Sequence, residues 1–166
     1  MKLIKTAIAL CVFFVSTSAV ALAHWMPESE MYIGGVGHGC TLEYVKSIFG
    51  EPQEKKWFNS DGCRGVRYIY NQSYSVTARV KDDDPTPENK LQVTNVNLKG
   101  SNLDTPSGLT VGIPYQTVAG MFGMGEKKQY TDRMFYYYKL ENTNRSMTFY
   151  VNNFGIITEI IYAEEW

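Results

Sequence analysis

Two stretches of this chain repeat one another, and that constrains the fold more than any other feature of the sequence. Gly39-Cys40-Thr41-Leu42-Glu43-Tyr44-Val45-Lys46-Ser47-Ile48-Phe49-Gly50 returns as Gly112-Ile113-Pro114-Tyr115-Gln116-Thr117-Val118-Ala119-Gly120-Met121-Phe122-Gly123. Gly39 falls on Gly112, Val45 on Val118, Phe49 on Phe122 and Gly50 on Gly123, and upstream Gly35 falls on Gly108. Apolar residues recur at helical spacing in each copy: Leu42, Val45, Ile48 and Phe49, then Tyr115, Val118 and Phe122 with Met121 beside them. Thr41 suits an N-cap, Pro114 the first turn, and each closing glycine a left-handed stop. Helices this short are marginal alone and must pack on a sheet. Gly120 costs its helix about 1 kcal/mol relative to alanine, which predicts a close approach to that sheet.

Strand patterning follows each helix. Val66, Tyr68 and Tyr70 alternate with Arg67 and Ile69; Tyr74, Val76, Ala78 and Val80 alternate with Ser75, Thr77 and Arg79. Asn71-Gln72-Ser73 joins these runs as a hairpin. A third strand spans 91–98, its phase slipping between Val93 and Val96 as a bulge would make it. After the second helix come strands over 134–140, 147–151 and 156–162, the last two joined by Asn152-Asn153-Phe154-Gly155. Residues 53–63 contain a loop with Asn59, Ser60, Asp61 and Gly62, after which the strand patterning begins. Alternation predicts antiparallel strands covered on one face only. The expected fold is α+β: two tandem units of helix then sheet, residues 24–100 and 108–166, joined by a linker at 101–107, with their strands in one curved sheet.

Residues 1–23 read as a secretory signal: Lys2 and Lys5, an apolar run from Ala7 to Val15, and Ala21-Leu22-Ala23 for cleavage. The run is too short to span a bilayer, which takes about 20 apolar residues. The protein is therefore expected in the periplasm or outside the cell, with no stable membrane insertion once cleaved. Without Lys2 and Lys5, the 16 basic and 17 acidic residues become a mild acidic excess. The basic residues are scattered, which argues against a nucleic-acid partner. In an oxidising compartment Cys40 and Cys63 are expected to form a disulfide, contributing about 3 kcal/mol in the chain-entropy account.

The chemistry of an enzyme is missing from the pattern. His24 and His38 lie in an irregular N-terminal region (24–31, then Gly34-Gly35-Val36-Gly37-His38-Gly39), and no serine or cysteine stands in a nucleophile motif. The glycines do not fit a dinucleotide fingerprint. A zinc site on Cys40, Cys63 and His38 lacks a fourth ligand, a copper chelate at His24 would need its second ring from the glycine loop, and Asp82-Asp83-Asp84 lack the spacing of a calcium loop. No cofactor is expected.

Tandem units of a short helix closing in Phe-Gly and then antiparallel strands, carried here by Thr41 to Pro52 and Ser107 to Gly123, resemble the β-lactamase inhibitor protein family. A single unit also resembles the SmpA/OmlA domain of the outer-membrane assembly machinery. The resemblance implies an exported protein that binds another protein through its open sheet face and loops; no contact residue of the inhibitor family is carried over to a position here. Twelve tyrosines, eight phenylalanines and three tryptophans exceed what so small a core requires. The surplus rings expected on the open face are Phe135, Tyr137, Trp57, Phe58 and Trp166, since tyrosine offers contact area at little entropic cost. The expected function is thus a non-catalytic binding module for an exported or envelope protein, such as an inhibitor of a secreted or periplasmic enzyme, with an envelope assembly factor or a small-ligand or glycan-binding protein as the alternatives.

Overall fold

A computed structural model describes residues 25–165; the expected signal peptide, His24 and Trp166 lie outside them. Among the described residues two helices, α1 (Leu42–Phe49) and α2 (Tyr115–Phe122), each precede four strands. After a short hairpin of β1 (Tyr32–Ile33) and β2 (Val36–Gly37), α1 leads into β3 (Glu54–Ser60), β4 (Cys63–Ile69), β5 (Tyr74–Lys81) and β6 (Val93–Leu98). In turn α2 leads into β7 (Glu126–Tyr130), β8 (Arg133–Lys139), β9 (Arg145–Val151) and β10 (Ile157–Glu164). The eight strands β3 to β10 form one antiparallel sheet in the order β3-β4-β5-β6-β10-β9-β8-β7. Each half is thus a meander, and the halves join at β6 and β10.

The α+β class and the antiparallel sheet agree with the sequence, but each helix is followed by four strands rather than three. The strands not foreseen, β3 and β7, are the two edges of the sheet. All five residues of β7 are exposed, and in β3 only Phe58 is partly buried, so neither shows a burial alternation to read. Both begin with the same triplet, Glu54-Lys55-Lys56 and Glu126-Lys127-Lys128.

One face of the sheet carries the core. Val66 and Tyr68, Tyr74, Val76 and Ala78, Val93, Val96 and Leu98, Ile160 and Tyr162, and Met147 and Phe149 are all buried there, under Leu42 and Val45 of α1 and Tyr115 and Val118 of α2. Thr41 caps α1 as expected, accepting from the Tyr44 amide at 3.3 Å, and Gly50 ends the helix at φ 76°. Ile48 is 44% exposed, so it leaves the buried stripe. A Cβ on Gly120 would meet nothing within 4 Å, so that glycine is not a point of close approach to the sheet. Gly125 is, with the Tyr138 ring 2.7 Å from where a Cβ would stand.

The phase slip in β6 is a bulge: Thr77 pairs with Asn95 and Ala78 with Val93, which leaves Thr94 unpaired. Its hydroxyl donates to the Thr77 carbonyl at 3.3 Å. In β10 the pairs Ile157–Val151 and Glu159–Tyr150 leave Thr158 in the same position, and its hydroxyl donates to the Tyr150 carbonyl, also at 3.3 Å.

The N-terminal arm is more than an irregular lead-in. Met26, Glu30 and Met31 are buried around a 3-10 turn at Glu28–Glu30. The Glu30 carboxylate accepts from the Thr105 hydroxyl at 2.8 Å and the Ser107 hydroxyl at 2.7 Å. The linker is therefore pinned, and the arm also reaches the second half, where the Trp25 amide donates to the Phe122 carbonyl at 3.2 Å.

Cys40 and Cys63 are both free, so the expected disulfide is not formed. The Cys40 carbonyl accepts from Val93 in β6, whereas Cys63 opens β4, two strands away and three residues beyond Val66 in the row of Val93. Two strand spacings are about 9.6 Å and three residues rise about 10 Å, while a bridge needs Cα atoms within about 7 Å. Spacing in sequence did not reveal that separation.

Candidate functional site

Strand register decides which side chains stand on the face away from the helices. From β3 to β6 these are Glu54, Lys56 and Phe58, then Arg67 and Ile69, then Ser75, Thr77 and Arg79, then Asn95 and Asn97. From β10 to β7 they are Glu159, Ile161 and Ala163, then Thr148 and Tyr150, then Phe135 and Tyr137, then Glu126 and Lys128. The two halves of this face thus differ in chemistry: the first is basic and polar, the second aromatic.

In the aromatic half Phe135 and Tyr150 lie opposite one another across β8 and β9, ring centroids 5.0 Å apart. Arg133 stacks on Tyr150 at 3.9 Å and Lys128 on Tyr137 at 4.5 Å, cation–π contacts that hold the rings in place. The Tyr137 hydroxyl donates to Glu165 at 2.9 Å. Burial, and then that acceptor, raise the Tyr137 pKa, so the phenol stays protonated and neutral.

The polar half is a trough. A cavity of about 380 Å³ lies over Lys56, Arg67, Asn95, Asn97 and Lys99. A second of about 390 Å³ continues it over Arg79, Thr94 and Ile161, sharing Arg67, Asn95 and Asn97 with the first. At its centre the Arg67 Nε donates to the Thr77 hydroxyl at 3.2 Å. The Nε of Arg79 is buried and has no hydrogen-bond partner among the described residues. Phe58 fills the place that Gly65 leaves empty, its ring 2.4 Å from where a Cβ would stand, and so walls the trough on one side.

Glu159 marks the seam between the halves. It accepts from Asn97 at 2.6 Å and from Arg133, with Lys99 at 3.6 Å. Burial would raise its pKa, but the hydrogen bonds from Arg133 and Asn97 and the charge of Lys99 outweigh that and hold it below the ordinary carboxylate range.

Of the rings expected on the open face, Phe135, Tyr137 and Phe58 stand there. Trp57 does not: it pairs with Val66 and belongs to the helix-covered side, at the sheet edge, 56% exposed. Trp166 lies outside the described residues. Sequence reading missed Tyr150, whose face follows from pairing with Phe135, and the Arg67–Arg79 pair, whose alternation was visible but whose lack of carboxylate partners was not. It also missed Tyr130, which ends β7, and Phe154, on the turn between β9 and β10, 75% and 88% exposed at one end of the second half. Asp84 is engaged locally, accepting from the Thr86 amide at 2.8 Å, and His38 pairs with Glu164.

No protein-family model matches the sequence, and no curated protein matches it. Solved structures do. A cysteine-rich secretory protein of Staphylococcus aureus superposes with a TM-score of 0.56 at 10% identity, over 87% of this chain and 48% of its own. An extracellular SCP-domain protein of Bacillus anthracis gives 0.49 at 13% identity, over 98% of this chain and 50% of its own. This chain therefore spans about half the length of each. A "putative beta-lactamase inhibitor protein" of Streptococcus mutans is a distant neighbour, at 0.30 and 13% identity over 75% of this chain and 82% of its own. The S. aureus likeness is one of fold.

Proposed function

We propose that this chain is an exported, non-catalytic binding module that docks a protein partner on the uncovered face of its sheet. The observation that carries the reading is the row of Phe135, Tyr150 and Tyr137, half-exposed rings on rigid strands, the two tyrosines held by cation–π contacts and Phe135 packed against Tyr150. Aromatic side chains fixed in this way give large contact area for little lost entropy, as binding hot spots do. Titratable groups nearby are engaged in ion pairs: Glu159 with Arg133, Glu164 with His38, Glu126 with Lys128.

The scaffold is two copies of one unit. Bulge threonines Thr94 and Thr158 make equivalent bonds, and Leu42 donating to Leu91 repeats as Tyr115 donating to Gly155, 3.0 and 2.9 Å. Asn97 pairs with Ile161, and the neighbouring pairs Val96–Tyr162 and Leu98–Ile160 fall symmetrically about it. These correspondences support a pseudo-twofold axis at the seam. On this reading Arg67 corresponds to Phe135 and Thr77 to Tyr150, so the same scaffold positions have diverged to build two different surfaces.

Affinity capture from the host's exported fraction, using the protein and its Phe135→Ala/Tyr137→Ala variant, tests the reading. A partner retained by the protein and weakened at least tenfold by the variant is the expected result, about 1.4 kcal/mol or more at 25 °C. Equal capture by a folded variant sinks the aromatic face. Retention of outer-membrane proteins as a group, or of glycan alone, points instead to assembly or to sugar binding.

A further inference from the structure

Arg67 and Arg79 stand on neighbouring strands as diagonal neighbours, since Arg67 pairs with Thr77 and Arg79 lies two residues on. Diagonal neighbours are about 7–8 Å apart, within which two guanidinium heads converge on one small group. Neither has an ion-pair partner among the described residues. The carboxylates around them are already engaged: Glu54 with Lys56, Glu159 with Arg133, Glu164 with His38. A buried guanidinium nitrogen without a partner is costly, and Arg79 Nε is one.

We infer that the trough at Arg67 and Arg79 receives a single carboxylate, an aspartate or glutamate side chain presented by the docked protein. This rests on the docking reading above and adds the chemistry that the partner must carry. The planar fork of arginine matches a carboxylate two bonds at a time, which fixes orientation as well as adding energy. Asn95, half-buried on the floor of the trough, offers an amide that can donate to and accept from the peptide around the acidic residue. An extended polyanion fits poorly. Lys56 is paired with Glu54, Lys99 lies 3.6 Å from Glu159, and Glu164 lines the same cavity as Arg79, so the unpaired cations of the trough are confined to Arg67 and Arg79, a short span for a chain of phosphates or sulfates. One compact anion matches that pair.

The test follows the arginine Nε–Hε NMR signals of the purified protein during titration with N-acetyl-aspartate amide. The Arg79 signal is expected to shift saturably, and the isosteric N-acetyl-asparagine amide to bind at least tenfold more weakly. Arg79→Gln and Arg67→Gln should each remove most of the response; the second variant guards against a folding defect in the first. Inorganic phosphate or a heparin tetrasaccharide binding more tightly than the aspartate compound overturns the inference, as does an Arg79 signal that does not move.

The docking reading fails separately. Phe135→Ala/Tyr137→Ala should leave the aspartate titration unchanged while weakening capture of the partner. A captured partner indifferent to Arg67→Gln/Arg79→Gln overturns the carboxylate and spares the docking face. Aspartate binding with no captured partner does the opposite.

Discussion

Replacing Glu159 by glutamine should weaken the join between the two halves of the sheet in a way that depends on pH. The carboxylate is nearly buried, its side chain 5% exposed, and it is bonded to Asn97 from β6 and Arg133 from β8. Arg133 and Lys99 are about half exposed, so when the charge is removed both can turn to water, and Arg133 keeps its stacking on Tyr150. Their loss is screened and small. The main cost is the charged hydrogen bond to Asn97, which puts the substitution at about 1–2 kcal/mol at pH 7. At about 2–4 °C per kcal/mol for a chain of this size, the melting temperature should fall by roughly 2–8 °C. The native pKa of Glu159 lies below its ordinary value of about 4.3, so its contribution is complete above that pH and is lost as pH falls through the depressed native value. Urea unfolding of the protein and of Glu159→Gln at pH 7, 5, 4 and 3 should therefore show a gap that is constant down to about pH 5 and then closes. A gap unchanged at pH 3 would refute the account, because glutamine would then be costing packing rather than charge.

Two further substitutions test other parts of the scaffold. Glu30→Ala leaves the Thr105 and Ser107 hydroxyls without their buried acceptor, and equilibrium unfolding should show a loss of about 2–4 kcal/mol, with Glu30→Gln intermediate; a loss under about 0.5 kcal/mol in the alanine variant would mean that the arm does not hold the linker. Gly65→Val pushes a side chain into the Phe58 ring, so it should cost about 1–3 kcal/mol as overpacking does, and Phe58→Ala in the same chain should recover part of that; no recovery would mean that the clash is with the Ala78 carbonyl, 2.8 Å away, instead.

Much of this fold was legible because helix and strand periods are properties of neighbouring residues. The matching stretches at 39–50 and 112–123, the alternation of Val66, Tyr68 and Tyr70, and the phase slip at Thr94 each mark a boundary or a face without knowledge of the rest. The edge strands were not legible: residues exposed on both faces have no alternation, and Glu54 to Ser60 reads as polar loop. Trp57 was misplaced for the same reason, since a face can be assigned only once the strand is recognised. The disulfide failed because closeness in sequence says nothing about the lateral strand order. Phe135 and Tyr137 could be named from alternation alone, whereas Arg67 and Arg79 required the positions of every nearby carboxylate. Charge balance at a site is a three-dimensional property.

The Glu-Lys-Lys triplets opening both edge strands bear on how the sheet meets other molecules. An exposed edge is a template on which another strand can add, and lysines along it make each added strand bring cations against cations. In β3 and β7 the second lysine is paired within its own strand, Lys56 to Glu54 at 3.4 Å and Lys128 to Glu126 at 3.0 Å, so these acids are already occupied and unavailable to pair with an incoming lysine. Two copies meeting edge to edge would repel, and the sheet ends at eight strands. Growth into fibres is thereby discouraged at both margins, which leaves the broad face as the surface where recognition can occur without the risk of polymerisation.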